Sequence, residues 1–231
     1  MSLLQSAKLT RRFLVHKFIV NYGRYMSYSK WIDRINRRPL FQRFAETNVN
    51  LPCFPTREAM WSFVGSRRPM AIDYLEFGVH QGHSIFHFAG ENKSSNSRFF
   101  GFDSFTGLPE DWNSDFRRGH FDMAGKPPRT DDARVEFIVG SFQETLPKFV
   151  AKFKTGNPII VHLDCDLYSS ALYCLTKLDA VLPRGTILMF DEFGDVQHEF
   201  RAVHDYLSSY RREVSVLCSH DDFFAIAVEL H

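Results

Sequence analysis

The sequence predicts an α/β fold, a doubly wound sheet preceded by a helical extension, and three observations carry that expectation. From Met70 onward, short apolar runs alternate with helix-length segments, the pattern of strand and crossover helix. The first of these runs breaks into two glycines and then a helical segment, a strand-turn-helix unit. Several runs also end in a carboxylate, and open α/β sheets place their ligands at the carboxyl ends of their strands.

A chain of 231 residues fits one such domain with an extension, and 44% hydrophobic residues suffice for a substantial core. The extension is assigned to residues 1–65 as a helical arm or cap, and residues 66–231 to the domain. The net charge of +1 conceals an asymmetry. Residues 1–50 carry ten Lys and Arg against Asp33 and Glu46, leaving 18 basic and 25 acidic residues to the remainder. Leu9, Phe13, Leu14, Phe18 and Ile19 recur at roughly helical spacing, which predicts amphipathic helix. Such an arm packs on the acidic domain or on a second subunit as a homodimer element; adsorption to anionic lipid or nucleic acid is the other reading. Pro39, Pro52 and Pro55 punctuate the approach to the domain, and Thr56 caps a short helix reaching Gly65.

Cys53, Cys165, Cys174 and Cys218 are far apart and form no C-x-x-C pair, so neither a disulfide framework nor a zinc knuckle is indicated. A reducing, cytoplasmic setting follows by default. No apolar run reaches the roughly 18 residues of a membrane span, and charges interrupt residues 1–21, so no secretory signal is expected.

The stretch from Ala71 to Ser84, AIDYLEFGVHQGHS, organises the rest. Ile72, Tyr74, Leu75 and Phe77 make a buried strand, Gly78 and Gly82 allow a tight turn close to a ligand, and Ser84 is placed at the start of the next helix. A dinucleotide site reads G-x-G-x-x-G and rests pyrophosphate on the helix N-terminus, whereas this chain offers G-x-x-x-G with Glu76 two residues before it. A fixed negative charge there repels phosphate. It suits a cofactor carrying a cation, such as the ammonium and sulfonium of S-adenosylmethionine; a plain tight turn is the alternative.

Ser84 to Gly90 reads as the first helix and Arg98 to Asp103 as the next strand. Asp103 stands where a ribose diol is usually held, or else caps the turn-rich segment that follows. Residues 106–134 are polar and broken by Gly and Pro, yet carry Trp112, Phe116, His120, Phe121 and Met123, and are expected to form a lid over the substrate. Val135 to Gly140 is a third strand. Ser141, Phe142 and Gln143 after it are placed beside the cofactor's base, with an ordinary helix cap as the compatible alternative.

Within Pro158 to Ser170, PIIVHLDCDLYSS, Ile159, Ile160, Val161 and Leu163 make a buried strand with Asp164 and Asp166 following at its carboxyl end, and the strand from Thr186 ends in Asp191 and Glu192. Like charges gathered there need a cation or protons. Oxygen ligands without clustered Cys or His favour Mg²⁺ or a similar hard cation, held by Asp164, Asp191 and Glu192; the alternative has Asp166 and Asp191 capping helices. His80, His83, His120 and His162 are further acid-base candidates for which a solvent or core role is preferred.

Together, LEFGVHQGHS, GFDSFTGLPEDW, GSFQETLP, VHLDCDLYSS and FDEFG followed by RAVHDYL resemble, in order, the macrocin O-methyltransferase family over Leu75 to Leu207. The resemblance implies a Rossmann-like class I methyltransferase sheet, mostly parallel with its last strand antiparallel, Val214 to Leu217 and Phe223 to Val228 forming a terminal hairpin. It also implies S-adenosylmethionine as cofactor, a divalent metal on Asp164, Asp191 and Glu192, and Asp166 as general base. The acceptor is then a sugar or other vicinal-diol small molecule. Glu192 departs from the family's usual residue and lengthens one ligand arm, and the extension before Ala71 has no evident counterpart. A catechol-like aromatic diol is the rival acceptor. An NAD-dependent oxidoreductase and a non-catalytic module binding membrane or nucleic acid are the readings from other classes, opposed by Glu76 and by the number of acids.

Overall fold

The computed structural model describes residues 28–154 and 156–231, and side chains from residue 37 onward. The amphipathic segment expected over Leu9 to Ile19 lies outside the described residues. The chain runs α1 (Tyr28–Thr47), β1 (Cys53–Phe54), α2 (Arg57–Ser66), β2 (Asp73–Phe77), α3 (His83–Glu91), β3 (Arg98–Asp103) and β4 (Val135–Val139). It continues through α4 (Phe142–Val150), β5 (Ile159–Leu163), α5 (Tyr168–Leu178), β6 (Ile187–Phe190), α6 (Glu199–Tyr210), β7 (Val214–His220) and β8 (Ala225–Leu230).

These strands form one sheet in the order β1-β7-β8-β6-β5-β2-β3-β4. β2 lies at its centre, fully buried, with Leu75 opposite Phe100 of β3 on one side and Val161 of β5 on the other, both pairings parallel. Strand order reverses at β2, so the crevice for a ligand opens at the carboxyl ends of β2 and β5. β8 is antiparallel to both β6 and β7. This is the Rossmann-like class I arrangement expected from the sequence; in the terminal hairpin the first strand runs on to His220, and the second lies two residues later than anticipated, at Ala225–Leu230.

Side-chain alternation along β2 divides the core. Tyr74 packs with Met60, Trp61 and Val64 of α2 and Ile85 and Phe88 of α3, its ring stacked 4.5 Å from Phe88. Leu75 and Phe77 face the other layer, with Ala171 and Leu175 of α5 and Phe200 and Val203 of α6. Asp73 is buried and paired bidentately with Arg98, at 2.8 and 2.7 Å, which ties the start of β2 to β3.

The described residues before Met70 are built into this frame. Phe41 and Phe44 of α1 set their rings 6.0 and 5.0 Å from Phe193, and Arg37 pairs with Asp205 at 3.2 Å, so a basic residue of the arm meets an acidic one of the domain. Pro39 lies inside α1 and does not end it. β1 adds a short parallel edge beside β7. Thr56 caps α2 as expected, its hydroxyl accepting from Ala59 N–H at 3.2 Å. Among the described residues no helix is long and apolar enough to cross a membrane.

Candidate active site

The loop leaving β2 has no room for a side chain. Gly78 has φ +90, and a Cβ there would lie 1.8 Å from the Asp164 carbonyl oxygen, so only glycine lets the ends of β2 and β5 approach so closely. Gly82, at φ +82, is the N-cap of α3. Ser84 therefore does not start the helix as anticipated; it sits in the first turn, buried. The left-handed turn at Gly82 ends the loop two residues earlier.

Asp103 fixes this loop from β3. Its Oδ2 accepts from the Val79 and His80 N–H groups, both at 2.9 Å, and its Oδ1 from Phe105 N–H at 2.8 Å. The turn-capping role is thus present, and the same carboxylate still faces a cavity of about 510 Å³. That volume lies within the range of about 300–1,000 Å³ typical of small-molecule sites. Gly78, Ser84, Asp103, Ser141, Phe142, Gln143, Asp164 and Asp166 line it, whereas Gly82, Glu76, Asp191 and Glu192 are not part of its lining. Ser141 is the N-cap of α4, its N–H and hydroxyl both donating to Glu144. Phe142 stands edge-on to Phe77, ring centres 5.5 Å apart.

Gly107, Leu108, Pro109, Glu110 and Phe121, all from residues 106–134, cover one side of the cavity. Trp112, Phe116 and Phe121 stack on one another, Phe121 meets His80, and the Trp112 indole N–H donates to Asp195 at 3.1 Å. The aromatic residues noted in this polar segment thus form a cluster of their own that fastens it over the strand ends, while Met123 packs against the core.

On the opposite wall, Asp166 has φ +60 and centres a three-residue turn closed by Leu167 N–H to Cys165 carbonyl at 2.6 Å. Such a turn is strained, and strain of this kind concentrates at functional sites. The helix-cap alternatives are not met: α5 begins at N-cap Leu167 without a side-chain bond, and α6 begins at His198. Asp164 comes within 4.8 Å of Asp191 and His162 in one group and of Asp166 and Glu192 in another. The anticipated ligand trio is therefore spread over two overlapping triads, and Asp166 lies within the same reach.

Burial and mutual repulsion push Asp164, Glu192 and Glu199 well above the usual carboxylate range. Asp166 rises to about 7, chiefly from burial and then from the charge of Asp191. Burial alone would depress His162, but its hydrogen bonds to Asp191 and Glu76 overcome this and hold it at about 10, so the ring is an imidazolium. Glu76 accepts from the Tyr74 hydroxyl at 2.5 Å, and its Oε1 is buried without a partner among the described residues. Asp191 Oδ2, Glu192 Oε2 and Glu199 Oε1 are likewise buried without a hydrogen bond. Buried carboxylate oxygens without a hydrogen bond are hard donors of the kind that fit a divalent cation.

Several contributors escaped the sequence reading. Arg57 reaches Asp191 and Glu192 from the start of α2, at 2.9 and 3.1 Å, and Trp61 lines the cavity. Glu199 accepts the Glu192 N–H at 2.8 Å and shapes the turn after β6. No local motif marks these residues; only the packing of α2 and α6 brings them in. His162 takes the preferred core role, while His80 and His83 line the cavity.

Solved structures with the same fold include CalS11, a calicheamicin methyltransferase, at TM-score 0.57 and 20% identity, covering 99% of this chain and 94% of that one. The O-methyltransferase NovP gives TM-score 0.54 and 18% identity over 74% and 76% of the two chains. An O-methyltransferase from Bacillus cereus gives 0.51 and 14% over 94% and 97%. A comparison with curated protein sequences finds no match. A family described as methyltransferase domain matches residues 75–193, a segment containing the glycine loop, Asp103, the lid-like loop and all the clustered acids up to Glu192. This match spans just over half of the protein, and with the sheet order and the cavity at its switch point it establishes that the chain belongs to the methyltransferase-domain family.

Proposed function

We propose that the protein is an S-adenosylmethionine-dependent O-methyltransferase of the macrocin type, acting on a hydroxyl of a sugar or other vicinal diol beside a divalent cation. One observation carries the reading: a carboxylate poised near neutrality, Asp166, lines the same cavity as the glycine loop, within reach of a cluster of oxygen donors. S-adenosylmethionine supplies an electrophilic sulfonium methyl. Glu76 is the partner for its ammonium, supported by the unpartnered Oε1, and Asp103 the partner for its ribose, with Gly78, Gly82 and Ser84 shaping the loop. Ser141, Phe142 and Gln143 border the base.

Asp164, Asp191 and Glu192 are the residues to hold Mg²⁺ or a similar cation, which lowers the proton affinity of an adjacent hydroxyl. His162 is no ligand while protonated; it neutralises Asp191 from behind. Asp166 takes the acceptor's proton. A base near pH 7 is better matched to this work than an ordinary carboxylate. Residues 106–134 exclude water, and residues 1–65 serve as the arm, with Phe41 and Phe44 docked on the domain. The sugar preference is supported by one structural relative, a TDP-rhamnose 3′-O-methyltransferase.

The test is calorimetric titration of S-adenosylmethionine and its demethylated product, followed by mass analysis of nucleotide sugars, glycosides and catechols incubated with protein, cofactor and Mg²⁺. A gain of one methyl on a diol hydroxyl supports the proposal. Absence of binding by both cofactor forms at high micromolar concentration refutes it.

A further inference from the structure

We propose that Arg57 is a built-in counter-cation: its guanidinium holds Asp191 and Glu192 when no metal is bound and is displaced from them by a divalent cation. The inference rests on the reading of these acids as a cation site. Arg57 is the first residue of α2, directly after the N-cap Thr56, and lies outside the segment matched by the methyltransferase family.

Its hold is partial. A guanidinium matches a single carboxylate with two parallel bonds. Here it straddles two, Nη1 lying 2.9 Å from Asp191 Oδ2 and Nη2 3.1 Å from Glu192 Oε1. Only the Glu192 contact has hydrogen-bond geometry; Asp191 Oδ2 meets Arg57 as an ion pair alone, and Glu192 Oε2 and Glu199 Oε1 remain buried without a hydrogen bond. Asp191, Glu192 and Glu199 are each at most 6% exposed, so water does not solve their desolvation. Arg57 therefore offsets part of the repulsion and leaves oxygens free for a more compact, doubly charged ion that also reaches Asp164.

Release is unhindered. The Arg57 side chain is 38% exposed and borders the cavity, and its backbone stands at a capped helix start. The arrangement prevents the acids from forcing the site open when metal is absent, and it weakens apparent metal affinity by the free energy of the ion pair that must break.

The experiment titrates Mn²⁺ alone into the full-length protein, with free aquo-Mn²⁺ followed by electron paramagnetic resonance. Wild type, Arg57→Gln, Arg57→Lys and Asp164→Asn are compared, with thermal unfolding of each in chelator and in Mn²⁺. Arg57→Gln is expected to bind about tenfold tighter or more, the factor set by a partly buried ion pair. It should melt lower than wild type in chelator and gain more from Mn²⁺. Arg57→Lys, which keeps a charge but loses the fork, should lie between, and this variant decides the matter if Arg57→Gln does not fold without metal. Unchanged or weaker binding by both Arg57 variants, with binding still abolished by Asp164→Asn, overturns the role of Arg57 alone. Absence of Mn²⁺ binding by wild type and Arg57 variants alike overturns the cation reading and this inference with it.

Discussion

Replacing Asp166 by Asn should make the metal-free protein more stable while abolishing its chemistry. The carboxyl has an ordinary value of 3.8 and titrates at about 7 in the folded chain, held up first by burial and then by the charge of Asp191. Folding therefore takes up a proton throughout that interval, so stability falls as pH rises through it and the whole penalty is present above pH 7. At about 1.4 kcal/mol per pH unit, the penalty reaches about 4 kcal/mol at pH 8 and about 1.5 kcal/mol at pH 5. Asn keeps the shape and tolerates the left-handed backbone at this position, where φ is +60. Urea unfolding in chelator at pH 5 and pH 8 measures the effect. Asp166→Asn should exceed wild type by several kcal/mol at pH 8 and by much less at pH 5, and methyl transfer should drop at least about 100-fold, the usual loss for a general base. Equal stabilities at pH 8, or a wild type equally stable at both pH values, would refute the argument that this carboxylate is held under electrostatic stress.

Two further substitutions probe the loop. Gly78→Ala places a Cβ 1.8 Å from the Asp164 carbonyl in a backbone of φ +90, and neither strand can yield without breaking β2-β5 pairing. A loss of at least about 3 kcal/mol is expected in urea unfolding, together with loss of cofactor heat in calorimetry; a near-normal midpoint would contradict the packing described. Asp103→Ala deprives three backbone N–H groups of their acceptor. Stability should fall by about 2 kcal/mol and S-adenosylmethionine affinity about tenfold or more, whereas unchanged affinity would remove Asp103 from the cofactor site.

The alternation of strand and helix was legible because each strand of the sheet's centre is a local apolar run of the right length, bounded by turn residues. β3 and β5 are found at the residues read from the sequence, Arg98–Asp103 and Ile159–Leu163. The acids at the ends of β5 and β6 were legible for the same reason, since a strand's carboxyl end is a local feature. Ser84 was misplaced because serine is a favoured helix start, yet Gly82 can adopt the left-handed turn that ends the loop earlier. The division of the acids was not legible either, because it depends on how two strands and three helices converge.

By itself, then, the chain's order of residues determined the α/β class, the glycine loop and the set of acids, all of which are encoded within a few consecutive positions. Tertiary structure alone decided what those acids face. Arg57 is 107 residues before Asp164 in sequence and 134 before Asp191, His162 is a core residue on β5, and Glu199 lies a turn beyond β6. They meet because α2 and α6 pack on opposite faces of one sheet. Charge and burial at a site are sums over neighbours distant in sequence, and only the packed chain brings those neighbours together.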